Sequence, residues 1–97
     1  MMITGDDILL KLKELKPALR NEFAVSKIGL FGSFTDGTFS EESDIDLLVE
    51  LEKPIGWKIL SLEIYLEKAF NRKVDLVTKS ALKEPIRDRI LKQITNA

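Results

Sequence analysis

Residues 29–50 read GLFGSFTDGTFSEESDIDLLVE, and the second half of this stretch alternates. From Ser43 to Leu51, the residues Ile45, Leu47, Val49 and Leu51 fall on one side of an extended chain; Asp44, Asp46, Leu48 and Glu50 fall on the other. This predicts a strand with one apolar face and one face bearing two carboxylates, ended by Pro54 and Gly56. Upstream, Ser26 to Phe31 predicts a short strand running out at Gly32-Ser33. Thr35 to Ser43 holds Gly37, Thr38, Ser40 and two Glu, a composition of turns, with room for a short helical piece before it.

Working outward, Thr4 and Asp7 form a capping-box pattern ahead of a helix over about residues 5–22, with apolar positions Ile8, Leu12, Leu15, Leu19 and Phe23 and an awkward Pro17. A second helix is predicted over about 56–70, with Ile59, Leu62, Leu66 and Ala69 on one stripe. Lys73 to Thr78 is a β-branched strand, and Ser80 caps a last helix in which Leu82, Ile86, Ile90 and Ile94 recur every four residues, with Pro85 in its first turn. The order α-β-β-α-β-α over residues 1–97 predicts one α/β (α+β) domain, a small mixed sheet backed by helices.

Composition narrows the chemistry. With no Cys and no His among 97 residues, neither a Ser-His-Asp or Cys-His nucleophile system nor a Cys/His zinc site can be built. Any metal must be held by oxygens, which favours Mg²⁺, Mn²⁺ or Ca²⁺. A net charge of −1 gives no general pull toward nucleic acid or anionic membrane, and direct nucleic-acid binding is not expected. Met1 to Asp7 lacks the basic and apolar regions of a signal peptide, and no apolar run approaches the ~20 residues of a membrane span. Absence of Cys fits a reducing cytoplasm, the expected location.

Asp44 and Asp46, at i and i+2 of a strand, project into the same space. Like charges a few ångströms apart repel unless a proton or cation lies between them, and a divalent metal would resolve the conflict. Taken alone, a D-x-D is more often a solvated strand face. Asp75 interrupts an apolar strand, which costs free energy unless the charge is paired, metal-bound or at an edge facing water. Were its strand beside that of Asp44, three carboxylates would converge. Gly32-Ser33 stands where a strand runs out into a turn or helix start, a place for unpaired N–H groups to meet an anion, the Ser33 hydroxyl adding a donor; the plain alternative is a turn.

Taken together, G-L-F-G-S-F…S-D-I-D-L-L-V-E followed by Asp75 resembles the minimal nucleotidyltransferase (MNT) family of the superfamily that includes DNA polymerase beta. The resemblance extends over essentially the whole chain and implies the nucleotidyltransferase fold. It further implies that Gly32 and Ser33 hold the triphosphate of ATP. Asp44 and Asp46 would bind the catalytic metals, two Mg²⁺ or Mn²⁺ ions. Asp75 would help hold one ion and take a proton from the attacking hydroxyl. The sequence departs from the family where many relatives have Ala-Arg/Lys-Gly after the Gly-Ser: here Thr35-Asp36-Gly37 follows Phe34, placing an acidic residue near a triphosphate. MNT proteins typically pair with a HEPN-domain protein, often a ribonuclease toxin, as its antitoxin, and some transfer AMP to a tyrosine of that partner. Two functions are thus implied: a protein adenylyltransferase, favoured by the aspartate trio, or a catalytically weak nucleotide-binding module that neutralises its partner by contact, favoured by Thr35-Asp36.

One feature points to a partner without the resemblance. Trp57, Leu60 and Ile64 form a second apolar stripe on the 56–70 helix, which would leave it apolar around most of its circumference. A small domain could wrap the helix fully; otherwise the stripe is an interface, with a second protein or with another copy of the chain.

Overall fold

The structure, a computed structural model, describes residues 3–97. Met1 and Met2, the start of the N-terminal stretch read above, lie outside the described residues.

The first helix, α1 (Gly5–Phe23), starts at the expected capping box: the Thr4 side chain accepts from the Asp7 N–H, and the Asp7 carboxylate accepts from the Thr4 N–H. Pro17 stands inside α1 without ending it. Ala24 then turns the chain in a left-handed conformation (φ 58°) into β1 (Val25–Phe31). A single helical turn, α2 (Ser33–Asp36), follows, then a loop, β2 (Ile45–Leu51), α3 (Lys58–Phe70) and β3 (Val74–Thr78). The chain closes with a 3₁₀ turn (Lys79–Ala81), α4 (Ile86–Gln93) and β4 (Thr95–Asn96).

The sheet is mixed, in the order β3-β2-β1-β4. β1 runs antiparallel to β2 and β4, and β2 runs parallel to β3. Alternation of β2 does what the sequence requires: Ile45, Leu47 and Val49 are fully buried in one apolar cluster with Ile8, Leu12, Leu19 and Phe23 of α1 and Leu62, Leu66 and Phe70 of α3. The two long helices therefore cover one face of the sheet, and the carboxylate face is left to the C-terminal segment.

That segment differs from the sequence reading. The last helix begins at Ile86, not after Ser80; Leu82 is extended. The physical reason is Pro85, whose ring disfavours helical geometry at Glu84 and so delays the start. Ile94, expected in the helix, leaves it in extended geometry and leads into β4, a strand the periodicity did not show. Likewise α3 begins at Lys58, because Gly56 takes a positive φ in the turn before it. No residue of α4 is fully buried. Its end packs locally: Leu91 and Ile94 face Leu48 across a small cavity, and Ile94 lies directly on Gly29 of β1. A Cβ on Gly29 would come within 2.5 Å of Ile94 Cδ1 and Cγ1. The C-terminal segment thus shields the Leu48 end of the second sheet face, while Asp44 and Asp75, toward its other end, stay exposed.

Gly29→Val should consequently push Ile94 off the sheet. The expected result is a loss of roughly 1–3 kcal/mol in urea unfolding, with amide protection lost first from residue 82 onward. Unchanged stability and protection would show that Ile94 does not anchor the segment.

Candidate active site

Three neighbouring strands assemble the site. In the sheet, Asp46 stands opposite Phe31 of β1 on one side and opposite Asp75 of β3 on the other. The parallel pairing of β2 with β3, reinforced by the Ile45 N–H donating to the Lys73 carbonyl at 2.9 Å, is what brings Asp75 beside Asp46. Gly32, next after Phe31, lies against the Asp46 carboxylate so closely that a Cβ there would collide with Oδ2. Gly32 also has a φ of 78°, a region L side chains rarely adopt. Glycine is required here on both counts, and the close neighbour is Asp46 itself.

Gly32 caps α2: its carbonyl accepts from the Thr35 N–H (3.0 Å), the Asp36 N–H (3.3 Å) and the Thr35 hydroxyl (2.8 Å). The first N–H groups of such a turn have no partner within it, and the turn starts at Gly32, against the Asp46 carboxylate. Asp36 closes the turn. Its Oδ1 accepts from the Thr38 N–H (3.0 Å) and hydroxyl (2.6 Å), and these bonds hold its pKa below the ordinary value, so it stays charged.

The carboxylates interact. Burial, then the charge of Asp75, then that of Asp44 push Asp46 up to about 6. Asp44 and Asp75 are exposed while Asp46 is half-buried between them. The ion pairs among the described residues, Arg20 with Glu52 and Lys79 with Glu50, leave these three aspartates without a cationic side chain. Three oxygen-donor side chains with mutual repulsion and no internal cation suit a hard divalent ion such as Mg²⁺ or Mn²⁺. They are not drawn into a ready-made cage: among the described residues no group of three or more acidic side chains is gathered closely enough to enclose a metal.

One residue of the site went unnoticed in the sequence. Arg72, at the junction of α3 and β3, donates through Nη1 to the carbonyls of Glu41 and Ser43, both at 2.8 Å, and more weakly to that of Ser40 at 3.4 Å. Nothing in local spacing links position 72 to positions 40–43.

The family model described as a nucleotidyltransferase domain matches residues 12–96. The chain is 42% identical over 94 residues to the protein adenylyltransferase MntA of Thermococcus cleftensis, covering 96% of this chain and 95% of that one. Its fold is similar to that of a solved structure described as a candidate minimal nucleotidyltransferase (TM-score 0.79, 23% identity, 96% of this chain and 95% of that one). It is also similar to a chain in a complex of tri-AMPylated Shewanella oneidensis HEPN toxin with MNT antitoxin (TM-score 0.66, 23% identity, 92% and 70%). At these identities the two structures speak for the fold alone.

The raised pKa of Asp46 has a consequence for stability. The unfolded group titrates near 3.8 and the folded one near 6, so between these values the folded chain holds the proton more tightly. Stability falls as pH rises through this window, and the cost is complete above it. In EDTA at pH 7, Asp46→Asn should melt at a higher temperature than the wild type, and the gap should close as pH falls toward 4. A variant less stable at pH 7 would make the carboxylate a structural element.

Proposed function

The chain belongs to the nucleotidyltransferase domain family, and on that premise we propose that it transfers AMP from ATP to a hydroxyl of a partner protein. The observation that carries this reading is the placement of Asp46 opposite Asp75 and against Gly32, with Asp44 just before β2 and near enough for its charge to act on Asp46. Asp44, Asp46 and Asp75 would hold Mg²⁺ or Mn²⁺, which when bound neutralises phosphate charge and makes the acceptor hydroxyl more acidic. Gly32 and Ser33 receive the triphosphate at the start of α2, where the first N–H groups have no partner within the turn and Gly32 brings the backbone up against Asp46. The acceptor oxygen attacks the α-phosphorus in line, pyrophosphate leaves, and Asp75, exposed at the margin of the site, takes the hydroxyl proton. The protein's contribution is chiefly to hold these groups in register.

The partner in this proposal is a HEPN-domain protein, with the chain as its antitoxin in the cytoplasm. The naming of the Thermococcus relative as a protein adenylyltransferase and the HEPN–MNT complex of similar fold support it. So does α3. Trp57 is 86% exposed, Leu60 51% and Ile64 52%, and together they leave an apolar face uncovered on the helix opposite the buried Leu62 and Leu66. Among the described residues no helix is long and apolar enough to cross a membrane, so this face is not part of a membrane-spanning helix. A second reading, neutralisation by contact with little catalysis, is favoured by one observation: Asp36, kept ionised by Thr38, stands in the turn that would receive the triphosphate.

Two experiments test this. Purified protein, labelled ATP, Mg²⁺ and the HEPN partner should yield labelled partner, and Asp44→Asn with Asp46→Asn should abolish labelling while circular dichroism stays native. Tight partner binding without label in the wild type would leave only the second reading. Trp57→Ala should weaken partner binding by about 2 kcal/mol, roughly thirtyfold, in a calorimetric titration with an unchanged melting curve. Undiminished binding would move the interface elsewhere.

A further inference from the structure

We propose that Arg72 is a positioning residue of the active site: its guanidinium fixes segment 40–43 and thereby where Asp44 stands relative to Asp46 and Asp75. The inference takes its meaning from the nucleotidyltransferase reading of the carboxylates.

Asp44 needs such a device. It precedes the first residue of β2, so the sheet does not fix it as it fixes Asp46, and it is delivered by a loop of eight residues from Gly37. That loop has local bonds of its own: Ser43 N–H to the Ser40 carbonyl (3.1 Å), Ser40 N–H to Ser43 Oγ (2.8 Å), and Glu42 N–H to Ser40 Oγ (3.3 Å). These close a turn but do not say where the turn sits.

Arg72 supplies the location. Both protons of Nη1 are used in the 2.8 Å bonds to the Glu41 and Ser43 carbonyls, and Ser43 is the residue bonded to Asp44. The guanidinium carbon also lies 5.5 Å from the centroid of Phe34, and Phe34 stacks on Phe39 at 4.8 Å with 13° between rings. Phe34 belongs to α2, beside Gly32 and Ser33; Phe39 belongs to the loop. One planar cation thus joins the phosphate-facing turn, the Asp44 loop and the root of β3, three residues before Asp75. A lysine would match the charge but not the fork or the flat face. Holding the backbone carbonyl of Ser43, the residue before the ligand, is support of the kind whose loss commonly weakens metal affinity by roughly 10–100-fold.

The test compares wild type with Arg72→Gln by two readouts that need no turnover. Hydrogen exchange of the Ser43 amide should speed up about tenfold in the variant, while amides of the β2 core stay protected. Mn²⁺ binding, followed by the paramagnetic resonance of the free ion, should weaken at least about tenfold. In Asp44→Asn, where Arg72 has no ligand left to position, adding Arg72→Gln should cost no further affinity. Unchanged exchange at Ser43, or affinity losses that simply add in the double variant, would overturn the proposal. Should Arg72→Gln fail to fold, Arg72→Lys carries the same comparison. Wild type that binds no Mn²⁺ would refute the metal reading, and with it a role for Arg72 in placing a ligand, while the exchange result would still show whether Arg72 holds the loop.

Discussion

Gathering two carboxylates at the start of a strand, next to a third on the adjoining strand, carries an electrostatic cost that hydrophobic packing must offset. In this chain the cost falls on Asp46, half-buried between Asp44 and Asp75 and driven toward neutrality at mildly acidic pH. The rest of the structure keeps that arrangement from relaxing. Parallel pairing of β2 with β3 holds Asp46 opposite Asp75. The opposite face of β2 is fully buried under α1 and α3, so a register slip that separated the charges would expose Ile45, Leu47 and Val49. Gly32 closes the third side, where no other residue would fit. A single-layer sheet covered on one side by two long helices can hold charge on its other side because only the Leu48 end of that side is shielded.

Much of this was legible in the sequence because it depends on period. Alternation from Ile45 to Leu51 marks β2 and both its faces, the Thr4 and Asp7 box marks the start of α1, and the spacing of Leu62 and Leu66 marks the buried side of α3. Asp75 stood out as a charge within an apolar run, but only the sheet order could bring it beside Asp46. What escaped depends on contacts without period. β4 is two residues long, too short to alternate. α4 buries no residue fully, so its apolar repeat misjudged both ends, and Pro85 decided its start. Arg72 reaches carbonyls some thirty positions away, and backbone acceptors carry no residue identity for a sequence to display.

The two sides of the molecule divide the work. Asp44, Asp46 and Asp75 lie toward the open sheet face, whereas Trp57, at the N-cap of α3, and Leu60 and Ile64 within it are exposed on the helical layer. A partner bound at α3 would therefore leave the carboxylates accessible.

The most direct measurement of the central claim is a titration of the isotope-labelled protein with Mn²⁺ in the presence of a non-hydrolysable ATP analogue, read as paramagnetic broadening of backbone amide resonances. The account requires broadening centred on Gly32, Ser33, Asp44, Asp46 and Asp75 at low metal concentration, with the α3 face and α4 unaffected. Broadening centred on Glu41 and Glu42, or spread evenly over the acidic surface, would contradict it.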